Sequence, residues 1–129
     1  MTRRVLLIED EPTLAKNVST YLTHYDYEVR ISTTAEAALS ELAEFKPDII
    51  LLDFNLPPGM NGMDALAQIR AVDPGIKVVM VTAHGSIDLA VKAMQAGAWQ
   101  FVTKPIALGK LRLMLEKAFQ DAPRDRALS

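Results

Sequence analysis

The sequence contains no cysteine in its 129 residues. This excludes disulfide bonds, thiolate chemistry and cysteine-based zinc sites, and it suits a reducing compartment. There is no excess of basic residues, since the net charge is −2, so electrostatic attraction to nucleic acid or an anionic membrane is not expected. No apolar run is long enough for a membrane span or a signal-peptide core. We therefore expect a cytoplasmic chain with no membrane association and no direct nucleic-acid binding.

Two glycine-rich phosphate-binding motifs are also missing. Neither G-x-G-x-x-G nor G-x-x-x-x-G-K-[ST] occurs anywhere in the chain. The sequence therefore gives no support for a nucleotide-binding module of either type.

What the sequence does contain is an alternation of two hydrophobic periods. Aliphatic runs at residues 5–8, 49–52 and 78–81 are typical of strands buried on both faces, and weaker strand patterns lie at 27–31 and 99–103. Apolar residues at helical spacing follow each of them. Five such units predict one α/β domain, with a parallel five-stranded sheet and helices on both faces. We place it at residues 1–121, with 122–129 as a flexible charged tail or the start of a linker.

Helix boundaries are indicated by local residues. Pro12 fits the first position of the first helix, where a missing backbone N–H costs nothing. Thr33 with Glu36 has the spacing of a capping box and predicts the start of the second helix.

Chemically active side chains follow the predicted strands. Ligand sites of open α/β sheets lie beyond the carboxyl ends of the strands, and here those ends carry Glu9-Asp10-Glu11, Asp53, Thr82 and Lys104. Two carboxylates at ~4 Å repel each other by about 4 kcal/mol at an effective dielectric near 20, which a cation would relieve. Oxygen ligands suit Mg²⁺.

We name Glu9, Asp10 and Asp53 as the metal ligands, with the backbone carbonyl of Asn55 as a further candidate. The acids after the first strand also have an ordinary interpretation. Acidic residues at the start of a helix interact favourably with the helix dipole, and the three residues alone do not separate this from metal binding.

Asp53 is the candidate nucleophile. It closes a run of four aliphatic residues, and an ionised carboxylate at the end of a central strand can attack phosphorus to form an acyl phosphate. Lys104 would supply a positive charge and Thr82 a hydroxyl donor for the phosphoryl oxygens.

Four segments together resemble the response-regulator receiver family of two-component signalling. They are VLLIEDEP at 5–12, IILLD at 49–53, VTAHG at 81–85 and FVTKP at 101–105, in the family's order and at its spacing, and the resemblance covers about residues 4–121. It implies a flavodoxin-like (βα)5 fold with strand order 2-1-3-4-5. The segment 82–105 looks most like receivers of the nitrogen-regulatory class. The loop after Asp53 looks one residue longer than the common pattern.

The resemblance also assigns roles. It implies that Asp53 is the phosphoacceptor, that Glu9 and Asp10 hold Mg²⁺ with it, and that Thr82 and Lys104 bind the phosphoryl group. Phe101 would be the aromatic residue that changes rotamer. The residues that tune hydrolysis would be Asn55 and His84.

As partners, the resemblance implies a sensor histidine kinase and a homodimer formed through the fourth helix, fifth strand and fifth helix. The chain would be a switch controlling transcription, and not an enzyme, although it promotes its own phosphorylation and dephosphorylation.

Two alternatives remain beside this interpretation. A phosphatase of the haloacid-dehalogenase type also uses an aspartate nucleophile and Mg²⁺, but it usually needs a second aspartate two residues later. Here that position is Asn55, which leaves no general acid for the leaving group. The other alternative is a receiver-like interaction module that is never phosphorylated, against which the intact Asp53, Thr82 and Lys104 argue.

Overall fold

Five strands and five helices alternate along the chain in this computed structural model, which describes residues 2–83 and 87–128, with side chains up to residue 120. The elements are β1 (Arg3–Ile8), α1 (Pro12–His24), β2 (Tyr27–Ser32), α2 (Ala35–Phe45), β3 (Ile49–Asp53), α3 (Gly62–Val72), β4 (Lys77–Thr82), α4 (Ile87–Gln95), β5 (Gln100–Thr103) and α5 (Leu108–Leu128). All neighbouring strands are parallel, in the order β2-β1-β3-β4-β5. The predicted α/β fold and strand order are confirmed.

The sheet separates two hydrophobic cores. Alternate residues of β1, β3 and β4 face opposite sides, and each side chain buried in this way contributes roughly 1.5–3 kcal/mol. One core joins the sheet to α2, α3 and α4, and the other joins it to α1 and α5. The central strands are therefore fixed by packing on both faces, which gives the side chains at their ends a rigid base.

The starts of the helices follow local hydrogen bonding. Pro12 occupies the first turn of α1 as predicted, and the carboxylate of Glu11 caps this helix by accepting from the N–H groups of Thr13 and Leu14, at 3.1 and 2.6 Å. The predicted cap of α2 at Thr33 is wrong by one residue. Thr34 has the extended backbone of a cap, and its hydroxyl accepts from the N–H of Ala37 at 3.1 Å.

The two C-terminal helices differ in how they are anchored. The buried residues of α4 are two alanines, Ala90 and Ala93. Larger side chains attach α5, where Leu111 and Leu115 are buried. The backbone of α5 remains helical to Leu128, so the segment expected to be a tail continues this helix, and the domain boundary at 121 stays a prediction. Among the described residues, no helix is both long and apolar enough to cross a membrane.

Candidate functional site

Acidic side chains from two neighbouring strands meet at the carboxyl edge of the sheet. One carboxylate oxygen from each of Glu9, Asp10 and Asp53 lies within 4.8 Å of the other two. The parallel register causes this, because Ile8 pairs with Leu52 and the next residue on each strand is an acid. Glu9 and Asp53 are each 2% exposed, whereas Asp10 is exposed to solvent. The cluster thus has a buried base and an open side.

The neighbouring strands bring the other predicted side chains to the same edge. The backbone N–H of Phe54 donates to the carbonyl of Val81 at 2.8 Å, and that of Lys104 donates to the carbonyl of Thr82 at 2.8 Å. These bonds continue the ladders beyond the last paired residues. The Lys104–Pro105 peptide bond is cis.

Lys104 joins the two buried carboxylates. Its Nζ lies 3.1 Å from Oδ2 of Asp53 and 3.3 Å from Oε1 of Glu9. Burial alone would lower the pKa of Lys104, but the contacts with Asp53 and Glu9 outweigh it and hold the pKa above its ordinary value. Lys104 therefore remains a full positive charge within the cluster.

Within the cluster, Glu9 is the carboxylate whose pKa is raised. Burial raises its pKa from 4.5 to about 7; the backbone N–H of Glu11 opposes this rise and nearby Asp53 adds to it. Without a metal ion, and with Lys104 in place, Glu9 is thus held near its point of half protonation at neutral pH. A positive ion in the cluster would favour the ionised form.

This shift predicts how the stability of the metal-free protein depends on pH. Between pH 4.5 and about 7 the folded protein retains a proton on Glu9 that the unfolded chain has lost, so the free energy of unfolding falls as pH rises through this window. Glu9→Gln removes this contribution. We expect the urea midpoint in EDTA to fall less between pH 5 and 8 in Glu9→Gln than in the unmodified protein. Parallel pH profiles for the two proteins would contradict the assignment.

Thr82, at the end of β4, and Phe101, in β5, differ in their burial. The Thr82 side chain is fully buried, and its hydroxyl donates to the carbonyl of Val102 over a long 3.5 Å. Phe101 is 37% exposed, so its ring lies on the surface and not in the core. The hydroxyl has a weak partner that it can exchange for a stronger acceptor.

The loop after Asp53 begins with Asn55, whose N–H donates to Oδ1 of Asp53 at 3.1 Å. The side chain of Asn55 is exposed. His84, the second residue predicted to tune hydrolysis, lies outside the described residues. Reasoning from the sequence missed Glu36, whose carboxylate accepts from the N–H of Met60 at 3.0 Å at the far end of the same loop. Its only signal was the capping-box pattern, which assigned it another partner.

The three acidic residues after β1 have different roles. Glu11 caps α1, so the ordinary interpretation holds for that residue, while Glu9 and Asp10 point into the cluster with Asp53. Three carboxylates with one open side form the oxygen-rich, partly hydrated donor set that Mg²⁺ prefers. The residues present fit a magnesium ion. Fold and cluster together define the class: flavodoxin-like α/β proteins with an acidic ligand site at the carboxyl edge of the sheet.

Within this class the chain belongs to the response regulator receiver domain family, whose model matches residues 5–116. Receiver domains of this family are phosphorylation-dependent switches of two-component signalling, and this chain is one of them. It is 38% identical to the regulatory protein LuxO of Vibrio cholerae over 118 residues, which cover 92% of this chain and 26% of LuxO. It is 33% identical to the nitrogen assimilation regulatory protein NtrX of Azorhizobium caulinodans over 121 residues, covering 93% of the chain and 27% of NtrX.

Solved structures give the same result. The signal receiver domain of a LuxO repressor protein from Vibrio parahaemolyticus superposes with a TM-score of 0.91 at 34% identity, covering 100% of this chain and 98% of that one. The chain spans about a quarter of the length of the curated relatives it matches. The similarity therefore concerns the receiver domain of those longer regulators.

Proposed function

We propose that Asp53 accepts a phosphoryl group from a sensor histidine kinase in a Mg²⁺-dependent reaction. The observation that carries this proposal is the placement of the buried Asp53 carboxylate, 3.1 Å from Nζ of Lys104 and within 4.8 Å of Glu9 and Asp10. A nucleophile, a cation site and a fixed positive charge meet there at one open edge. Glu9, Asp10, Asp53 and the backbone carbonyl of Asn55 would hold the metal.

The reaction is an in-line displacement at phosphorus. A carboxylate oxygen of Asp53 forms a P–O bond as the P–N bond of the kinase phosphohistidine breaks, and the imidazole nitrogen leaves with the electron pair and takes up a proton. When bound, Mg²⁺ neutralises the charge on the phosphoryl oxygens. Lys104 contributes its own charge without moving far, since it already contacts the acceptor carboxylate.

The chemistry of the site favours a phosphoacceptor over a phosphatase. The side-chain amide of Asn55 is not acidic enough to protonate a leaving group, so the haloacid-dehalogenase alternative lacks its general acid. In this proposal the domain promotes its own phosphorylation and dephosphorylation and is not an enzyme acting on other substrates. Asn55 and His84, each two residues beyond a site residue, tune the rate at which water reaches the acyl phosphate.

Intact mass spectrometry after incubation with acetyl phosphate and Mg²⁺ tests the proposal. We expect the protein to gain the mass of one phosphoryl group, and to lose it again over time or in hydroxylamine, which cleaves acyl phosphates. A protein that gains no mass would favour the non-phosphorylated interaction module.

Signal transmission uses Thr82 and Phe101. The phosphoryl group adds about −1.5 to −2 charges and three acceptor oxygens, so the Thr82 hydroxyl exchanges its long bond to the Val102 carbonyl for a charged acceptor. This movement opens space beside Phe101. Because Phe101 has no hydroxyl, its ring can turn inward without burying an unpaired polar group.

The surface that this rotation remodels is formed by α4, β5 and α5. Large apolar side chains are exposed on these elements, including Ile87, Val91, Phe101 and Leu113. We assign this face to partner binding and to a homodimer of the phosphorylated form.

Transcription is the proposed output, and the cytoplasm is the proposed location. A domain beyond the receiver would make any DNA contact, since the receiver has no basic excess.

Thr82→Ala should separate phosphorylation from switching. A hydrogen bond to a charged group contributes ~1.5–3 kcal/mol, so its loss should reduce the ratio of active to inactive conformers by about tenfold or more. We expect the variant still to accept a phosphoryl group, and amide chemical shifts of residues 87–119 to respond weakly to beryllofluoride, a phosphoryl mimic. Thr103→Ala, an exposed threonine on the next strand, is the matched control. A full response in Thr82→Ala would refute this switch.

A further inference from the structure

The loop between β3 and α3, residues 54–61, is closed at its base. At its start, the N–H of Asn55 donates to Oδ1 of Asp53, and at its end the Asn61 side chain caps α3 by accepting from the N–H of Asp64 at 2.8 Å. Gly62 packs directly on the start of the loop: a Cβ there would lie 2.8 Å from Cα of Phe54. Displacement at the loop's end is therefore transmitted to the peptide that follows Asp53.

The far part of the loop is held in two ways: the side chain of Met60 packs against the hydrophobic core, and the backbone is bound by a side chain of α2. Oε2 of Glu36 accepts from the N–H of Met60 at 3.0 Å. The adjacent Gly59 has φ of +129°, a conformation that side chains rarely adopt, and a Cβ there would lie 2.9 Å from the same oxygen. The loop thus presents its backbone to the carboxylate at a position whose φ strongly favours glycine. Consistent with a charged acceptor, the bond from Met60 lowers the pKa of Glu36.

We propose that Glu36 is a positioning residue for the metal site, acting through this loop. The inference rests on the proposed function, because it requires the Asn55 backbone carbonyl to be a metal ligand. Glu36 itself lies on the exposed first turn of α2 and belongs to none of the contacts of the acid cluster. By pinning Gly59 and Met60, it restricts the paths available to a loop that looks one residue longer than the family pattern. The Asn55 carbonyl would then be held in place as a ligand for a bound metal ion.

The experiment measures Mg²⁺ affinity by titration, followed through the amide resonances of Asp53 and Asn55. Mutating a group that directly contacts a metal-ligating residue typically lowers metal affinity by about 10- to 100-fold. Because Glu36 acts through several residues, we expect a smaller effect: Glu36→Ala should weaken Mg²⁺ binding by about threefold to tenfold. The Met60 amide resonance should shift in the same variant even without metal.

Glu36→Gln separates the hydrogen bond from the charge. Its amide oxygen can still accept from the Met60 N–H, so we expect affinity within about twofold of the unmodified protein, whereas a purely electrostatic effect would make it as weak as Glu36→Ala. Glu44→Ala, which removes an exposed carboxylate from the same helix, should leave Mg²⁺ affinity unchanged. Thermal unfolding of each variant confirms that the fold is retained.

The outcomes distinguish this inference from the function on which it rests. Equal affinity in Glu36→Ala and the unmodified protein, or equal weakening in Glu36→Gln and Glu36→Ala, overturns the role of Glu36 and leaves phosphorylation of Asp53 intact. Failure of the unmodified protein to bind Mg²⁺ at all overturns both.

Discussion

Replacing Asp53 with asparagine should abolish labelling by acetyl phosphate. The substitution preserves the shape of the side chain and can still accept the Asn55 N–H, but an amide oxygen is a far weaker nucleophile than a carboxylate. The loss should exceed about 1,000-fold in rate, since in the proposed reaction the bond to phosphorus forms at the Asp53 carboxylate. Intact mass spectrometry at several times of incubation measures it.

Asp64→Asn is the matched control for this result. Asp64 is an exposed acid in the first turn of α3, at the far end of the same loop, and makes no contact with the cluster that would support transfer. Its labelling should equal that of the unmodified protein. Full labelling of Asp53→Asn, or a phosphorylated peptide that maps elsewhere, would show that the acceptor is another residue.

Removal of the metal is the second large effect. Chelation with EDTA should lower the rate of labelling by about 100-fold or more, because charge neutralisation by a metal ion is worth several kcal/mol in phosphoryl transfer and each 1.4 kcal/mol is tenfold in rate. Asp10→Ala should act in the same direction, since it removes the solvent-facing carboxylate from the cluster. Labelling kinetics as a function of Mg²⁺ concentration measure both.

The Asp10→Ala test is specific because the buried residues of the cluster do not depend on Asp10 for their contacts. Asp10→Ala leaves Glu9, Asp53 and Lys104 in their mutual contacts, so the fold should persist and only the metal dependence should change. Asp88→Ala, which removes an acid from the first turn of α4, serves as the control for a general loss of negative charge. Unchanged kinetics in EDTA would mean that transfer at Asp53 needs no metal.

The hydrophobic pattern is stronger for the central strands than for the edge strands, although the predicted bounds of all five lie within two residues of the observed ones. Strands β1, β3 and β4 are covered on both faces, so each contains a run of four apolar residues, the pattern typical of a buried parallel strand. The edge strand β5 is largely exposed, and its pattern was correspondingly weak: the prediction began at Trp99, while the strand begins at Gln100. The cap of α2 was misplaced because two adjacent threonines offer the same chemistry, and only backbone geometry selects Thr34.

Much of the candidate site followed from strand ends alone. Parallel pairing brings successive strand ends to one edge whatever the loops do, which is why Glu9, Asp53 and Lys104 were expected together. The bond from Met60 to Glu36 could not be predicted. It joins residues 24 positions apart through a loop whose path depends on the close packing of Gly62, and no local pattern encodes such a contact.

The small side chains that anchor α4 have a consequence for the energy needed to move it. Ala90 and Ala93 bury far less apolar surface than the leucines that hold α5, so detaching α4 from the sheet exposes little hydrophobic area to water. Segments held by few buried apolar contacts open at a small fraction of the global unfolding free energy. A rearrangement at the Thr82 end of β4 should therefore be able to displace α4 while the other helices stay folded, so that the surface would change without loss of core packing.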